Sequence, residues 1–263
     1  MSTPDYTRDE MMTIAASRLM WNGCVCFVGI GLPSAAANLA RLTHAPGIVL
    51  IYESGTIGTK PSVLPLSIGD EDLAETAECL VAIPEIFTYW LQAGRVDVGF
   101  LGAAQIDRFG NLNTTAIGDY HAPKVRLPGA GGAPEIAAHA KETFIMLRQS
   151  PRSFVDKMDF ITSAGYIGDT EARRKAGARG HGPQQIITDL GILRPDPQTG
   201  ELTLTALFQG VSVEDAKTAT GWPLAVAESL DHIAPPTEEE LHALRQLQSR
   251  TAEAHKRARK LPY

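Results

Sequence analysis

Three cysteines, Cys24, Cys26 and Cys79, are too few and too irregularly spaced for a disulfide framework. There is no CxxC and no HxxxH, and the seven histidines are scattered, so no metal site is indicated. No apolar run approaches the ~20 residues that a membrane span needs, and the N-terminus lacks the apolar core of a signal peptide. These absences lead to the expectation of a cytoplasmic protein. An excess of positive charge is also missing: 24 Lys and Arg stand against 30 Asp and Glu, for a net charge of −6. That balance argues against a general nucleic-acid or membrane-surface binder. One basic cluster, His255-Lys256-Arg257-Ala258-Arg259-Lys260, sits where a closing helix would end, and cations there complement the helix dipole. No repeat, low-complexity tract or linker divides the chain, so residues 1–263 are read as one domain.

What is present centres on Ile48-Val49-Leu50-Ile51-Tyr52-Glu53-Ser54-Gly55. A short β-branched apolar run without polar alternation predicts a strand buried on both faces. Such strands belong to α/β sheets, where ligands bind beyond the carboxyl ends. Glu53 falls at that end, and Gly55 permits a sharp turn after it. The same carboxylate would also suit a salt bridge or a cap.

Around this stretch the pattern alternates. Thr7 and Glu10 form a capping box for a helix reaching Trp21. Val25-Cys26-Phe27-Val28 is a strand on which Cys24 and Cys26 share a face, and an Ala-rich helix runs from Pro33 to Leu42. Residues 54–70 read as a long loop punctuated by Gly and Pro. A helix is expected over 84–93, buried strands over 96–101 and 144–147, and a turn at Gly110 between short strands. Pro134 and Glu135 suit the first turn of another helix. Residues 165–184 read as surface loop, 185–193 and 201–207 as a hairpin, and Thr237 to Lys260 as an exposed closing helix capped by Thr237 and Glu240. The class is α/β, an open and mainly parallel sheet with helices on both faces.

Two glycine turns carry the chemical question. Gly29-Ile30-Gly31, between a strand and a helix, resembles half of the dinucleotide fingerprint, and Glu53 lies where a ribose-binding acid would fall. An NAD-dependent oxidoreductase is therefore one reading. Against it stand Pro33 inside the pattern and a Gly-rich loop after Glu53 where a helix should come next. The second turn, Gly129-Ala130-Gly131-Gly132, lets backbone N–H groups approach a ligand and face a developing oxyanion, although a Gly-rich turn also occurs with no ligand. No Ser or Cys nucleophile with a neighbouring base is visible. A carboxylate needs no base at neutral pH. It can attack a thioester to give an acyl-glutamyl anhydride, through a tetrahedral species that requires an oxyanion hole.

At these residues the chain resembles the B (β) subunit of the class I coenzyme A transferases. The matching pieces are Gly29-Ile30-Gly31-Leu32-Pro33, Tyr52-Glu53-Ser54-Gly55, Leu101-Gly102-Ala103-Ala104-Gln105-Ile106-Asp107, Gly110-Asn111-Leu112-Asn113, Ile117-Gly118-Asp119-Tyr120 and Gly129-Ala130-Gly131-Gly132-Ala133. They stand in family order and span residues 8 to 250. The resemblance implies an open α/β sheet and an A2B2 heterotetramer formed with a separate A (α) subunit. It implies Glu53 as catalytic residue, Gly129, Gly131 and Gly132 as oxyanion and CoA-facing loop, and Gly29 and Gly31 packed beside the site. Coenzyme A is then a substrate, and no cofactor is expected. Relatives acting on 3-oxoacids commonly carry Ser-Glu-Asn-Gly; Tyr52-Glu53-Ser54-Gly55 aligns this chain with the glutaconate-like branch. The implied activity is transfer of CoA from succinyl-CoA to 3-oxoadipate through a glutamyl-CoA thioester. A glutaconate-type or other dicarboxylate transferase, and a non-catalytic subunit, are the further readings. The acceptor's distal carboxylate needs a cation, for which Lys60, Lys124 and Arg126 are candidates.

Overall fold

The structure is a computed structural model that describes residues 5–166 and 170–258. The chain forms two compact units, one of Met1–Ile86 with Pro235–Tyr263 and one of Phe87–Ala234. In the first, helix α1 (Arg8–Arg18) begins on the expected capping box: Thr7 Oγ1 accepts from Glu10 N at 3.2 Å, and Glu10 Oε2 accepts from Thr7 N at 2.8 Å. Strand β1 (Val25–Phe27), helix α2 (Leu32–Leu42) and strand β2 (Val49–Tyr52) come next. β1 and β2 pair in parallel with Phe27 opposite Ile51, and α2 is the crossover between them. Leu50, Ile51 and Tyr52 are wholly buried, as the unbroken apolar run requires. Cys24 and Cys26 are buried too and pack as small hydrophobes.

The stretch over 54–70 is not all loop. Strand β3 (Thr56–Ile57) doubles back antiparallel to β2, with Tyr52 opposite Thr56. Helix α3 (Glu71–Glu75) leads to strand β4 (Cys79–Leu80), antiparallel to β3, and then to the single turn α4 (Ile83–Glu85). The expected helix over 84–93 continues as a π-helix over Ile86–Leu91. The reversal between β2 and β3 depends on Gly55. Its φ is +101°, and a Cβ there would lie 2.1 Å from the carbonyl oxygen of Val81. Only a residue without a side chain satisfies both conditions.

The second unit opens with strand β5 (Val98–Leu101), buried throughout. Strands β6 (Gln105–Ile106) and β7 (Leu112–Asn113) form the short hairpin around Gly110, and β8 (Ala116–Ile117) with β9 (Val125–Arg126) forms a second. Helix α5 (Ala133–His139), strand β10 (Glu142–Met146), helix α6 (Thr170–Lys175) and strands β11 (Pro183–Ile187), β12 (Gly191–Pro195) and β13 (Leu202–Phe208) come next. Helix α7 (Val213–Thr218) crosses over to strand β14 (Ala225–Ile233). The order is β5-β10-β11-β12-β13-β14. β5, β10 and β11 run parallel, as do β13 and β14, while β12 is antiparallel to both its neighbours.

The chain returns to the first unit through helix α8 (Glu238–Ala258), whose cap forms as expected: Thr237 N donates to Glu240 Oε2 at 2.8 Å. This helix is not merely exposed. Leu241 and Leu244 are buried with Ile14, Ala35 and Leu39 in one cluster. Fully burying a leucine is worth ~2 kcal/mol, so this seam holds α8 against α1 and α2. Two bidentate pairs add to it: Arg18 Nε and Nη2 each reach Glu240 at 2.7 Å, and Arg245 Nε reaches Glu10 at 2.6 Å with Nη2 at 3.1 Å.

Two further readings need correction, and one strand was missed. The strand expected over 185–193 breaks at Thr188, whose Oγ1 accepts from Leu190 N and Gly191 N and closes a turn between β11 and β12. The hairpin is therefore β12–β13. The stretch 165–184 is not plain surface loop: it contains α6, and Arg173 is buried, donating to the carbonyls of Ala137, Ala164, Gly165 and Gly180. Within it, Ile167, Gly168 and Asp169 lie outside the described residues, as do Arg259 and Lys260 of the basic cluster. Strand β14 went unread because its Glu228, Asp231 and His232 interrupt the apolar pattern.

Gly55→Ala should destabilise the protein by more than ~1 kcal/mol. Gly129→Ala shares the positive φ, +105°, but meets no atom within 4 Å, and so carries the backbone strain alone. Denaturant unfolding of both variants tests this; an equal loss at the two positions would contradict the steric role given to Gly55.

Candidate active site

Glu53 sits one residue beyond β2, half-buried, in the Ser54–Gly55 turn. Gly55 N donates to Tyr52 O at 3.1 Å, Val81 N donates to Gly55 O at 3.0 Å, and Tyr52 pairs with Thr56, so the backbone on both sides of Glu53 is fixed. The Glu53 carboxylate makes no hydrogen bond or ion pair with any described residue. The cap and salt-bridge readings therefore find no support in its contacts. Beside it, Ser54 Oγ and Thr56 Oγ1 are buried without a hydrogen-bond partner among the described residues.

Gly29 and Gly31 belong to the same unit. Phe27 pairs with Ile51, which puts Gly29 and Glu53 two residues beyond that pair at the carboxyl edge of the two strands. The strands thus bring the Gly29–Gly31 turn and Glu53 to one edge. The third position of the dinucleotide pattern, Ser34, is wholly buried and hydrogen-bonded at 2.7 Å to the Tyr52 hydroxyl. After Glu53 the chain turns into β3 rather than a crossover helix. A buried third position is what close helix–strand packing asks for, so the departure from the βαβ arrangement of a dinucleotide site lies in the hairpin after Glu53.

Gly129, Gly131 and Gly132 lie in the second unit, in the loop that opens α5. Two hydrogen bonds bolt this loop to Thr114: Gly129 N donates to Thr114 O at 2.8 Å, and Thr114 Oγ1 donates to Gly129 O at 2.7 Å. Gly132 caps the helix, with Ile136 N donating to its carbonyl at 3.0 Å. The Gly129 N–H is thereby used within the loop. The N–H groups of Gly131 and Gly132 have no hydrogen-bond partner among the described residues. The loop borders an apolar cleft of about 310 Å³ formed with Gly102, Ala103, Ala104, Thr114 and Leu127. Small residues at the end of β5 open this space, which Gly129 and Ala130 of the turn line while Gly131 and Gly132 do not.

The three cation candidates differ. Lys60 is already paired with Glu78, Nζ to Oε1 at 2.7 Å. Arg126 lies 5.3 Å above the Tyr120 ring, which itself stacks on Phe160 at 5.2 Å. Lys124 is exposed on the β8–β9 hairpin. What the sequence reading missed is the polar contact of Tyr52. The signal was available: Ser34 and Asn38, spaced i and i+4, interrupt an otherwise Ala- and Leu-rich helix.

The profile of the family described as Coenzyme A transferase matches residues 9–219. The chain is 62% identical over 250 residues to the B subunit of the 3-oxoadipate CoA-transferase of Pseudomonas knackmussii, covering 95% of this chain and 96% of that relative. It is 39% identical over 239 residues, 88% of either chain, to the B subunit of the glutaconate CoA-transferase of Acidaminococcus fermentans. The crystal structure of the glutaconate coenzyme A-transferase from the same organism superposes with a TM-score of 0.87 at 34% identity, over 93% of this chain and 95% of that one. With the family profile across most of its length and a strand–turn–strand carboxylate at the sheet edge, the chain belongs to the coenzyme A transferase family.

Proposed function

We propose that this chain is the B subunit of a CoA-transferase that moves CoA from succinyl-CoA to 3-oxoadipate, with Glu53 as nucleophile. The likeness to the Pseudomonas protein supports the substrate pair. The observation that carries the nucleophile is an unpartnered, half-buried Glu53 carboxylate at the end of a buried parallel strand. The working enzyme is an A2B2 heterotetramer in the cytoplasm, completed by the A (α) subunit. Coenzyme A enters as substrate, and no bound cofactor takes part.

The chemistry then runs in four balanced steps. The Glu53 carboxylate attacks the thioester carbonyl of succinyl-CoA, and CoA thiolate leaves, giving a succinyl-glutamyl anhydride. The thiolate attacks the glutamyl carbonyl of that anhydride, and succinate leaves, giving the glutamyl-CoA thioester. The carboxylate of 3-oxoadipate attacks this thioester and releases CoA thiolate again. The thiolate attacks the 3-oxoadipyl carbonyl, producing 3-oxoadipyl-CoA and regenerating Glu53. Each attack builds charge on a carbonyl oxygen. The donors proposed for it are those the resemblance implies, the turn of Gly129, Gly131 and Gly132, with the Gly29–Gly31 turn beside Glu53. Binding energy from the CoA moiety, remote from the reacting carbon, is available to orient it. For the acceptor's distal carboxylate, Lys60, Lys124 and Arg126 are all exposed, and Lys124 is the one of the three whose side chain has no partner among the described residues.

Two outcomes are expected of the complex assembled with its partner subunit. Glu53→Gln keeps the side-chain shape and loses the nucleophile, so exchange should vanish. Glu53→Asp withdraws the carboxylate by about one bond length and should leave ~1% of the rate. Steady-state exchange assays check both, and normal turnover by Glu53→Gln would overturn the assignment. With succinyl-CoA as donor, specificity constants should favour 3-oxoadipate over acetoacetate and glutaconate. A preference for glutaconate would instead support the second reading that the Acidaminococcus relative suggests.

A further inference from the structure

Tyr52 immediately precedes Glu53, and its side chain is wholly buried. Burial holds its hydroxyl protonated, with the pKa pushed up to about 12. That hydroxyl is 2.7 Å from Ser34 Oγ, and Asn38 Nδ2 donates to Ser34 O at 2.9 Å and reaches the Tyr52 oxygen at 3.5 Å. Asn38 Oδ1 accepts from Arg41 Nη2 at 3.2 Å and from its Nε at 3.3 Å. Arg41 Nη2 donates in turn to Pro61 O at 2.9 Å. Ser34, Asn38 and Arg41 stand at i, i+4 and i+7, one stripe along α2. Ser34 and Asn38 are as fully buried as Tyr52.

The ladder joins three segments that bracket Glu53: the end of β2, the crossover helix, and the returning loop at Pro61. The hydrophobic effect alone would bury a phenylalanine at position 52 as well. A buried hydroxyl brings a desolvation cost that only a satisfied hydrogen bond offsets, so its gain is directional rather than a matter of area. The direction it fixes is the rotation of the strand end from which Glu53 projects. A carboxylate that must meet a thioester carbonyl at ~3 Å loses ~100-fold in rate for a misplacement of about an ångström.

We propose that Tyr52, through Ser34, Asn38 and Arg41, is a positioning residue that sets the attack geometry of Glu53; this rests on Glu53 being the nucleophile. Tyr52, Ser34 and Asn38 are wholly buried, so the ladder acts through Glu53 rather than by binding substrate. Its loss therefore lowers kcat and leaves KM in place.

The test uses the complete complex with Tyr52→Phe, and with Ser34→Ala as a second route to the same break. Active sites are counted by the amplitude of CoA adduct formed on mixing with succinyl-CoA, which corrects for any unfolded fraction. The expected result is a full amplitude, an adduct-forming rate and kcat lowered ~10- to 100-fold per counted site, and a KM for succinyl-CoA within about twofold of wild type. The double variant should be no slower than the worse single one, as members of one network are non-additive. An unchanged rate per counted site, with the whole defect in amplitude or thermal stability, would overturn the proposal and leave the ladder as a packing feature. Glu53→Gln run in parallel separates the two claims: turnover there rejects the nucleophile, whereas an inactive Glu53→Gln beside a fully active Tyr52→Phe rejects only the positioning role.

Discussion

Everything at the candidate site depends on the reversal at Gly55. A strand buried on both faces has no free side on which to display a reactive group, so its carboxylate can reach a ligand only past its end. β2 ends at Tyr52 and the chain doubles back at once, with a φ of +101° and the Val81 carbonyl where a Cβ would stand. This leaves Glu53 at the apex of a turn whose two arms are hydrogen-bonded strands. A rigid backbone and an unpartnered carboxylate then coexist in consecutive residues. That combination suits a nucleophile, because a fixed origin limits the entropy lost on reaching the reactive geometry.

Much of this was legible in the sequence, for identifiable reasons. The run Val49–Tyr52 has the unbroken apolar, β-branched character that a doubly covered strand needs, and both capping boxes formed where Thr and Glu stand three residues apart. What the sequence concealed depended on long-range pairing. β3 and β4 are two residues each, too short for any periodicity, and exist because β2 offers β3 an edge and β3 offers one to β4. β14 carries charged residues at positions where alternation would place apolar ones. Arg173 reads as surface by its type and is buried only because four carbonyls from three separate segments converge on it.

The site itself divides in the same way. Glu53 and the glycine turns were visible as residue types at the ends of elements. Their relative merit was not, since Gly129 spends its N–H on Thr114 while Gly131 and Gly132 do not. Nor could spacing separate a transferase from a dinucleotide enzyme, because both place an acid after the second strand. The two differ in the element that comes after that acid. A β-hairpin replaces the crossover helix.

The central claim is that Glu53 becomes a covalent CoA thioester. The most direct measurement is intact-mass spectrometry of the assembled complex mixed with succinyl-CoA and no acceptor, followed by peptide mapping. A CoA-sized mass on this chain, mapped to the peptide holding Glu53 and absent from Glu53→Gln, is the expected result. An adduct on the partner chain, on the exposed Cys79, or undiminished in Glu53→Gln would contradict it.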